Sequence, residues 1–520
     1  MDQANNYILE ANNISKRYVG VQALSDVSVK IKKGEIKCLA GENGCGKSTF
    51  VKIIAGVVSP DSGEIKLNGQ TVDLEKFSPI DAINMGIQVI YQDLSLFDHM
   101  TVAENIAMNR LVHQNKKFVS KKEVYNIAQT ALDRIGVQMD LDAKVQAISI
   151  ANRQLVAICR ALALDAKLLF MDEPTTALTK KEVDRLLSIV LDLKAKGISI
   201  VFISHKLDEV LKIADTITVF RDGKLVGECD AGDIDQDKLA YMMTGRSVKY
   251  QKYERVNENN DPLIEVAGLS KQRYYDDIHM SVRRGDIIGL TGLLGSGRTE
   301  LALSLFGLNK PDSGKIYIEG REAQINSPWD AMRFGIGLIP EDRSTQGLLL
   351  KKSVNDNIAS AMLDKLKTPK GFVDIQKQEE MAEECVRRFG IKTHKIHTKV
   401  GTLSGGNQQK TVIAKWASTA PKLFVLDTPT VGVDIGSKAE IYDHIQNFAK
   451  NNMGVIMISD EVEEMVANCN RVIVMFDGRK LMEFDEEDMK DPDIARRISV
   501  AIEAGEQTVD TAGEVIGGVQ

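Results

Sequence analysis

The residues best equipped for chemistry sit in a few short stretches of the first half of the chain. "GENGCGKST" runs from Gly41 to Thr49 and fits the pattern G-x-x-x-x-G-K-[ST]. In Gly41, Glu42, Asn43, Gly44, Cys45 and Gly46, the glycines let successive backbone N–H groups turn inward around phosphate oxygens. Lys47 is then placed to reach terminal phosphates and Ser48 to ligate magnesium, with Thr49 beside them. "LLFMDE" ends in Asp172, suited to the waters of a Mg2+ ion, and Glu173, placed to polarise a water for in-line attack on a γ-phosphate. His205, closing "VFISH", is in position to bridge that water and the phosphate, and Gln92 in "VIYQD" is a candidate ligand for magnesium or the water. The implied ligands are a γ-phosphate-bearing compound, such as ATP, and Mg2+. Cys45 has two readings: a thiol with a lowered pKa, open to alkylation and protected by ATP, or a small packing residue out of reach.

Such residues need elements to hold them. "EIKCLAG" reads as a buried strand running into the glycine loop, and "STFVKIIAG" as the helix that follows. "KLLFMDE", "ISIVFISH" and "TITVFRDG" are further strands, separated by amphipathic stretches. That alternation predicts an α/β fold with a parallel sheet, and places Asp172 and His205 at carboxyl ends of strands, where such sheets bind ligands.

At 520 residues the chain exceeds what one hydrophobic core accommodates, and self-comparison shows why. "GENGCGKST" at Gly41 aligns with "GLLGSGRTE" at Gly292, and "PDSGEIKLNGQ" at Pro60 with "PDSGKIYIEGR" at Pro311. "GIQVIYQDLS" aligns with "GIGLIPEDRS", "ISIANRQ" with "LSGGNQQ", and "VFISHKLDEV" with "IMISDEVEEM". Motifs in one order mean a duplicated domain, expected at residues 1–245 and 261–503. A polar linker is expected at 246–260 and a loose acidic, glycine-rich tail at 504–520. The net charge of −7 argues against a nucleic-acid partner. No apolar run long enough to span a membrane and no secretory leader is evident, and no cysteine pair has Cys-x-x-Cys spacing. A cytosolic enzyme with reduced thiols is the expectation.

"LSGGNQQ" in the company of these motifs resembles the fingerprint of ATP-binding cassette (ABC) ATPases, over both halves and effectively residues 7 to 500. The resemblance implies two P-loop domains, each with a RecA-like parallel-sheet core, an antiparallel β subdomain and a helical subdomain. It also implies that ATP is held between one domain's phosphate loop and the other's signature, with Tyr18 stacking on adenine; the corresponding loop of the second half is about five residues shorter, and Tyr274, Tyr275 or neither is the counterpart. More narrowly, the tandem arrangement is similar to ATP-binding subunits of bacterial sugar importers of the ribose, galactose and xylose type. That family implies a peripheral protein on the cytoplasmic face of the inner membrane, docked to two permease copies, with a substrate-binding protein outside. Membrane contact would run only through the permease. The exposed-looking segments "LSLFDHMTVAEN" and "STQGLLLKKSVNDN" would be the docking surfaces, or else internal core.

Within that scheme the two composite sites are unequal. Site one joins Lys47, Ser48, Gln92, Asp172, Glu173 and His205 to Ser404, Gly405, Gly406 and Asn407, and receives Asp434. Site two is built on Gly292, Gly295, Ser296, Gly297, Arg298 and Thr299, with Asp427 in the place of Asp172. There Arg298 replaces lysine, Glu341 replaces Gln92, Thr428 replaces Glu173 and Asp460 replaces His205. Its signature begins at Ser149 and has Ile150 and Ala151 where glycines let backbone approach a phosphate. Site one is expected to hydrolyse ATP and site two to be degenerate, unless Glu341 or Glu461 serves as an alternative base. Rival readings are import of a nucleoside or autoinducer, or a soluble tandem-cassette translation factor.

Overall fold

The computed structural model describes residues 6–516 apart from 19, 115, 117, 177, 247–251, 258 and 294, and leaves out the side chains of 435 and 506–516. Positions 247–251 and 258 of the expected linker, and 517–520 of the expected tail, thus lie outside the described residues. The chain divides into two units, Met1–Val248 and Lys249–Gln520.

Unit 1 contains ten strands: β1 (Tyr7–Tyr18), β2 (Val21–Lys32), β3 (Ile36–Ala40), β4 (Ser62–Leu67), β5 (Gln70–Thr71), β6 (Ile87–Ile90), β7 (Leu168–Asp172), β8 (Ser199–Ile203), β9 (Thr216–Arg221) and β10 (Lys224–Asp230). They form an antiparallel sheet in the order β2-β1-β4-β5 and a six-stranded sheet in the order β10-β9-β3-β8-β7-β6. In the second sheet β6, β7, β8, β3 and β9 run parallel, and β10 closes the edge antiparallel. β3 and β8 are buried at every position, as strands of a sheet covered on both faces must be. From Val27 onward β2 alternates buried and exposed, the signature of a sheet with one wet face. Helices Val102–His113, Lys121–Ile135 and Ile150–Leu162 make the helical subdomain. The first starts sharply because Thr101 and Glu104 cap each other reciprocally, and the second stops where Gly136 turns left-handed at φ 66°.

Unit 2 repeats the plan with β11 (Pro262–Lys271), β12 (Tyr275–Arg283), β13 (Ile287–Gly292), β14 (Ser313–Ile318), β15 (Arg321–Glu322), β16 (Ile336–Ile339), β17 (Leu423–Asp427), β18 (Gly454–Ile458), β19 (Arg471–Phe476) and β20 (Arg479–Phe484). The orders are β12-β11-β14-β15 and β16-β17-β18-β13-β19-β20, the same two sheets strand for strand.

The two segments expected to be a linker and a tail carry structure of their own. The polar stretch read as a linker is anchored to unit 2 from Tyr253 onward. The Tyr253 ring is 3% exposed, its hydroxyl donates to Gly285 O at 2.7 Å, and its N–H donates to Ala467 O at 2.9 Å. Arg255 stands 3.4 Å from Asp286, a fully buried carboxylate that Arg283 and Arg471 also hold. Arg255 Nε also donates to Arg284 O at 3.1 Å and Asn257 Nδ2 to Asn452 Oδ1 at 2.7 Å, so a stretch of polar average composition is bound at several points. The tail read as loose from 504 is helical, continuing a helix over Ile494–Ile516. Ile498 and Ala501 seat it in the core, and Gly505 lies against the Phe476 ring, where a Cβ would come within 2.5 Å.

Candidate functional site

In unit 1 the sheet delivers the predicted residues to one edge. β3 ends at Ala40, the glycine loop follows, and the helix Lys47–Ile54 begins with Gly46 at φ 109°. A Cβ on Gly46 would stand 2.6 Å from Ala23 O, so both backbone angle and space require glycine there. Lys47 is buried, and its ammonium donates to Gly41 O at 2.7 Å and Glu42 O at 3.0 Å, folding over the loop it follows. Ser48 Oγ lies 3.4 Å from Asp172 Oδ2, linking the helix start to the end of β7.

Glu173 follows in a left-handed conformation, φ 47°, held by its N–H on Ile203 O at 3.0 Å. Such an angle is uncommon for a side-chain-bearing residue and marks a turn fixed by its surroundings. Its Oε1 is 3.0 Å from His205 Nδ1, and Thr176 Oγ1 donates to Oε2 at 3.3 Å. An ionised carboxylate only accepts, so Nδ1 carries the proton and Nε2 faces away from Glu173. Burial pushes the Glu173 carboxyl up, but the His205 hydrogen bond and charge, with Lys47 behind them, bring it below its ordinary range. Asp172 goes the other way: burial raises it first and the Glu173 charge second. Two adjacent carboxyls are thereby shifted in opposite directions.

Gln92 is exposed in the loop after β6, and Tyr18 is 43% exposed at the end of β1, with the Lys16 ammonium 5.8 Å from its ring centroid. Cys45 corrects the reactive-thiol reading. It is 5% exposed, and burial pushes its thiol up more strongly than Lys47 pulls it down. The helix terminus that would acidify an accessible thiol is outweighed by desolvation.

Unit 2 places the corresponding residues together but in a different state. Arg298 starts the helix Arg298–Leu305 and is buried. Its Nη1 donates to Asp460 Oδ1 at 2.6 Å and approaches Ser459 O at 3.4 Å, while Nη2 approaches Leu293 O at 3.4 Å. The two replacements, arginine for lysine and aspartate for histidine, are therefore partners in one ion pair. Thr428 keeps the left-handed turn, φ 44°, with Oγ1 buried and without a hydrogen-bond partner among the described residues. Asp427 is 3% exposed and its carboxyl is pushed up to about 6, chiefly by burial. Glu341 is exposed. Glu461 pairs with Lys438, and burial with the nearby Glu464 raises its carboxyl to about 7. Of the two tyrosines, Tyr275 is buried with its hydroxyl on Ser304 Oγ, so only the exposed Tyr274 has a free ring face.

The signature of unit 2 caps the helix Gly405–Ala417. Asn407 Nδ2 donates to Ser404 Oγ at 2.8 Å, and Asn407 Oδ1 accepts from Lys392 N–H at 2.7 Å. A Cβ on Gly406 would meet Ser437 Oγ at 2.4 Å, which adds a packing reason for glycine to the phosphate-approach one. Asp434 is buried and caps the helix Ile435–Lys450 by accepting from Ser437 N–H at 2.9 Å. In unit 1 Ser149 Oγ caps Ile150–Leu162 by accepting from Asn152 N–H at 3.3 Å, a backbone cap that Ser404 does not make, and Ile150 projects at 54% exposure. The candidate docking segments are at least partly surface: Phe97 is 52% and Leu349 57% exposed. Reading the sequence missed Thr176, the Arg298–Asp460 pair and Arg343. The last could have been flagged by self-comparison, because Leu94 is its counterpart.

Among the described residues, no group of three or more His, Cys, Asp or Glu is arranged to hold a metal ion, and no helix is long and apolar enough to cross a membrane.

The family described as ABC transporter matches residues 24–176 and 275–431. A Geobacillus kaustophilus protein, named as a candidate ribose/galactose/methyl galactoside import ATP-binding protein, is 41% identical over 93% of this chain and 95% of its own length. The ribose import ATP-binding protein RbsA 1 of Rubrobacter xylanophilus is 41% identical over 91% of this chain and 94% of its own. A nucleotide-free ATP-binding cassette from an ABC transporter is similar at 28% identity, TM-score 0.40, over 43% of this chain and 91% of that one.

Proposed function

From the premise that this chain belongs to the ABC transporter family, with two ATP-binding cassettes in tandem, we propose that it is the ATP-hydrolysing subunit of a monosaccharide importer. The carrying observation is the contrast between the two cassettes: Glu173 aligned by His205 in one, and Thr428 beside an Arg298–Asp460 pair in the other. One hydrolytic site and one degenerate site follow.

At the hydrolytic site the loop Gly41–Gly46 receives the phosphates on backbone N–H groups, and Lys47 exchanges its loop carbonyls for phosphate oxygens. Glu173 accepts a hydrogen bond from a water in line with the γ-phosphate; the water oxygen bonds phosphorus as the bond to the ADP oxygen breaks. His205 keeps the Glu173 carboxylate turned towards that water. The family resemblance assigns Ser404 to Asn407 and Asp434 of the second cassette to the same γ-phosphate. Ser48, Asp172 and Gln92 offer hydroxyl, carboxylate and amide oxygens, the hard donors that suit Mg2+, which would supply neutralisation of phosphate charge. A cation would also hold Asp172 ionised against the burial that raises it.

The partners are a membrane permease, two copies, and through it a substrate-binding protein, with this chain peripheral at the cytoplasmic face. The sugar reading draws on the relatives' names; a nucleoside or autoinducer is the alternative cargo. Steady-state ATPase of the assembled transporter tests the site assignment. Glu173→Gln lowers turnover by about 10²–10⁴ while ATP still binds, and substantial turnover in that variant refutes it.

A further inference from the structure

Arg343 opens a wide π turn, Arg343–Gly347, two residues after Glu341. Its Nη1 donates to Val431 O at 2.7 Å and its Nη2 lies 3.4 Å from Gly432 O, so the guanidinium grips the loop that leads to Asp434. The same Nη2 stands 2.9 Å from where a Cβ on Gly405 would be, hard against the signature. Three loops of unit 2 therefore meet on one side chain.

The arrangement is not one that stability alone recommends. Nε is buried with no hydrogen-bond partner among the described residues, and burial lowers the guanidinium pKa. The adjacent carboxylate of Asp342 is occupied with Ser344 N–H, Thr345 N–H and Thr345 Oγ1. A half-buried cation with an unpaired donor is a cost the fold carries.

Comparison of the units shows what it is for. In unit 1, Leu94 occupies this position, and the loop is braced from the signature helix by Arg160, on Leu94 O at 2.7 Å and Ser95 O at 2.8 Å. Unit 2 keeps that brace, with Lys415 on Gly347 O at 3.2 Å, and adds Arg343. Further along, Leu349 and Leu350 are exposed, and Leu350 O accepts from Gly401 N–H at 3.1 Å, three residues before Ser404. The extra arginine thus occurs in the unit whose signature and Asp434 the proposed function assigns to the hydrolytic site.

We propose that Arg343 is a positioning residue for ATP hydrolysis: it holds Gly405 and the Val431–Asp434 loop in one register, and passes movement of the exposed 342–350 loop to both. This rests on the composite-site reading above, in which unit 2 lends those groups to the phosphate loop of unit 1. The effect belongs in turnover rather than in nucleotide affinity, since Arg343 braces groups that must be aligned at the moment of reaction.

The test is steady-state ATPase of the full chain with its permease, normalised to sites titrated with a non-hydrolysable ATP analogue. Arg343→Leu, the residue of unit 1, is expected to lower kcat about 10–100-fold with the KM for ATP within about threefold. Arg343→Lys is expected to recover part of the loss, since an ammonium replaces one of the two donations but not the planar fork. If Arg343→Leu does not fold, Arg343→Lys and Arg343→Gln carry the comparison, each expected below wild type in kcat. Turnover lost in Glu173→Gln but kept within twofold in the Arg343 variants overturns this proposal alone. Turnover surviving in Glu173→Gln overturns the composite-site reading and this proposal with it.

Discussion

Replacing His205 by alanine isolates what the imidazole contributes. Its Nδ1 lies 3.0 Å from Glu173 Oε1, and the two side chains are 11% and 14% exposed, so solvent screens the contact weakly. A hydrogen bond to a charged group is worth about 1.5–3 kcal/mol, a factor of about 10–150 in the population of the aligned carboxylate. Thr176 retains its hold on Oε2, which favours the lower part of that range. We therefore expect His205→Ala to lower kcat about 10–50-fold, against about 10²–10⁴ for Glu173→Gln. Because the imidazole acts through Glu173, the double variant should turn over no slower than Glu173→Gln alone. The His205 bond is also the main influence opposing burial at Glu173, so its loss raises that carboxyl. Activity that falls as acid protonates Glu173 should then begin to fall at a higher pH in His205→Ala. The assay is ATPase of the assembled transporter from pH 5 to 8 for the four proteins. Multiplicative losses in the double variant would show that His205 touches the reacting phosphate independently, and would refute the reasoning.

Asp427 offers a stability test in nucleotide- and magnesium-free protein. Its folded pKa of about 6 lies above the ordinary 3.8, so the folded state binds the proton more tightly, and stability is lost as pH rises through that window. Asp427→Asn should gain on the order of 3 kcal/mol at pH 8 and converge with wild type towards pH 4; parallel urea curves at both pH values would contradict this. Cys45 should resist iodoacetamide in the native chain equally with and without ATP, read by mass spectrometry; ATP-dependent labelling would restore the accessible-thiol reading. Phe97→Asp should leave the melting temperature within about 2 °C yet abolish stimulation of ATPase by the permease, and a loss of folded protein would mean that the ring is core.

The duplication and the gathering of unit 1's candidate residues were legible because their signals are local. A glycine loop, a run of apolar residues ending in Asp172 and a strand ending before His205 each announce themselves within about ten residues. What escaped depends on partners far apart in sequence. Arg298 reads as a conservative change and Asp460 as a lost histidine until the fold sets them against each other. Cys45 keeps the Lys47 ammonium 3.7 Å from its sulfur, yet burial in the apolar cluster with Phe50 outweighs that neighbour, which sequence adjacency alone does not show. The stretch from Tyr253 averaged as polar, and averaging conceals a single ring that finds a cavity.

The Arg298–Asp460 contact also changes what kind of event binding would be at the second loop. Lys47 waits on neutral carbonyls, which a phosphate displaces with a gain in charge neutralisation. Arg298 waits on an anion that the protein itself supplies. Any phosphate that met Arg298 would do so in exchange for the Asp460 carboxylate, which stays tethered beside the guanidinium as a competitor.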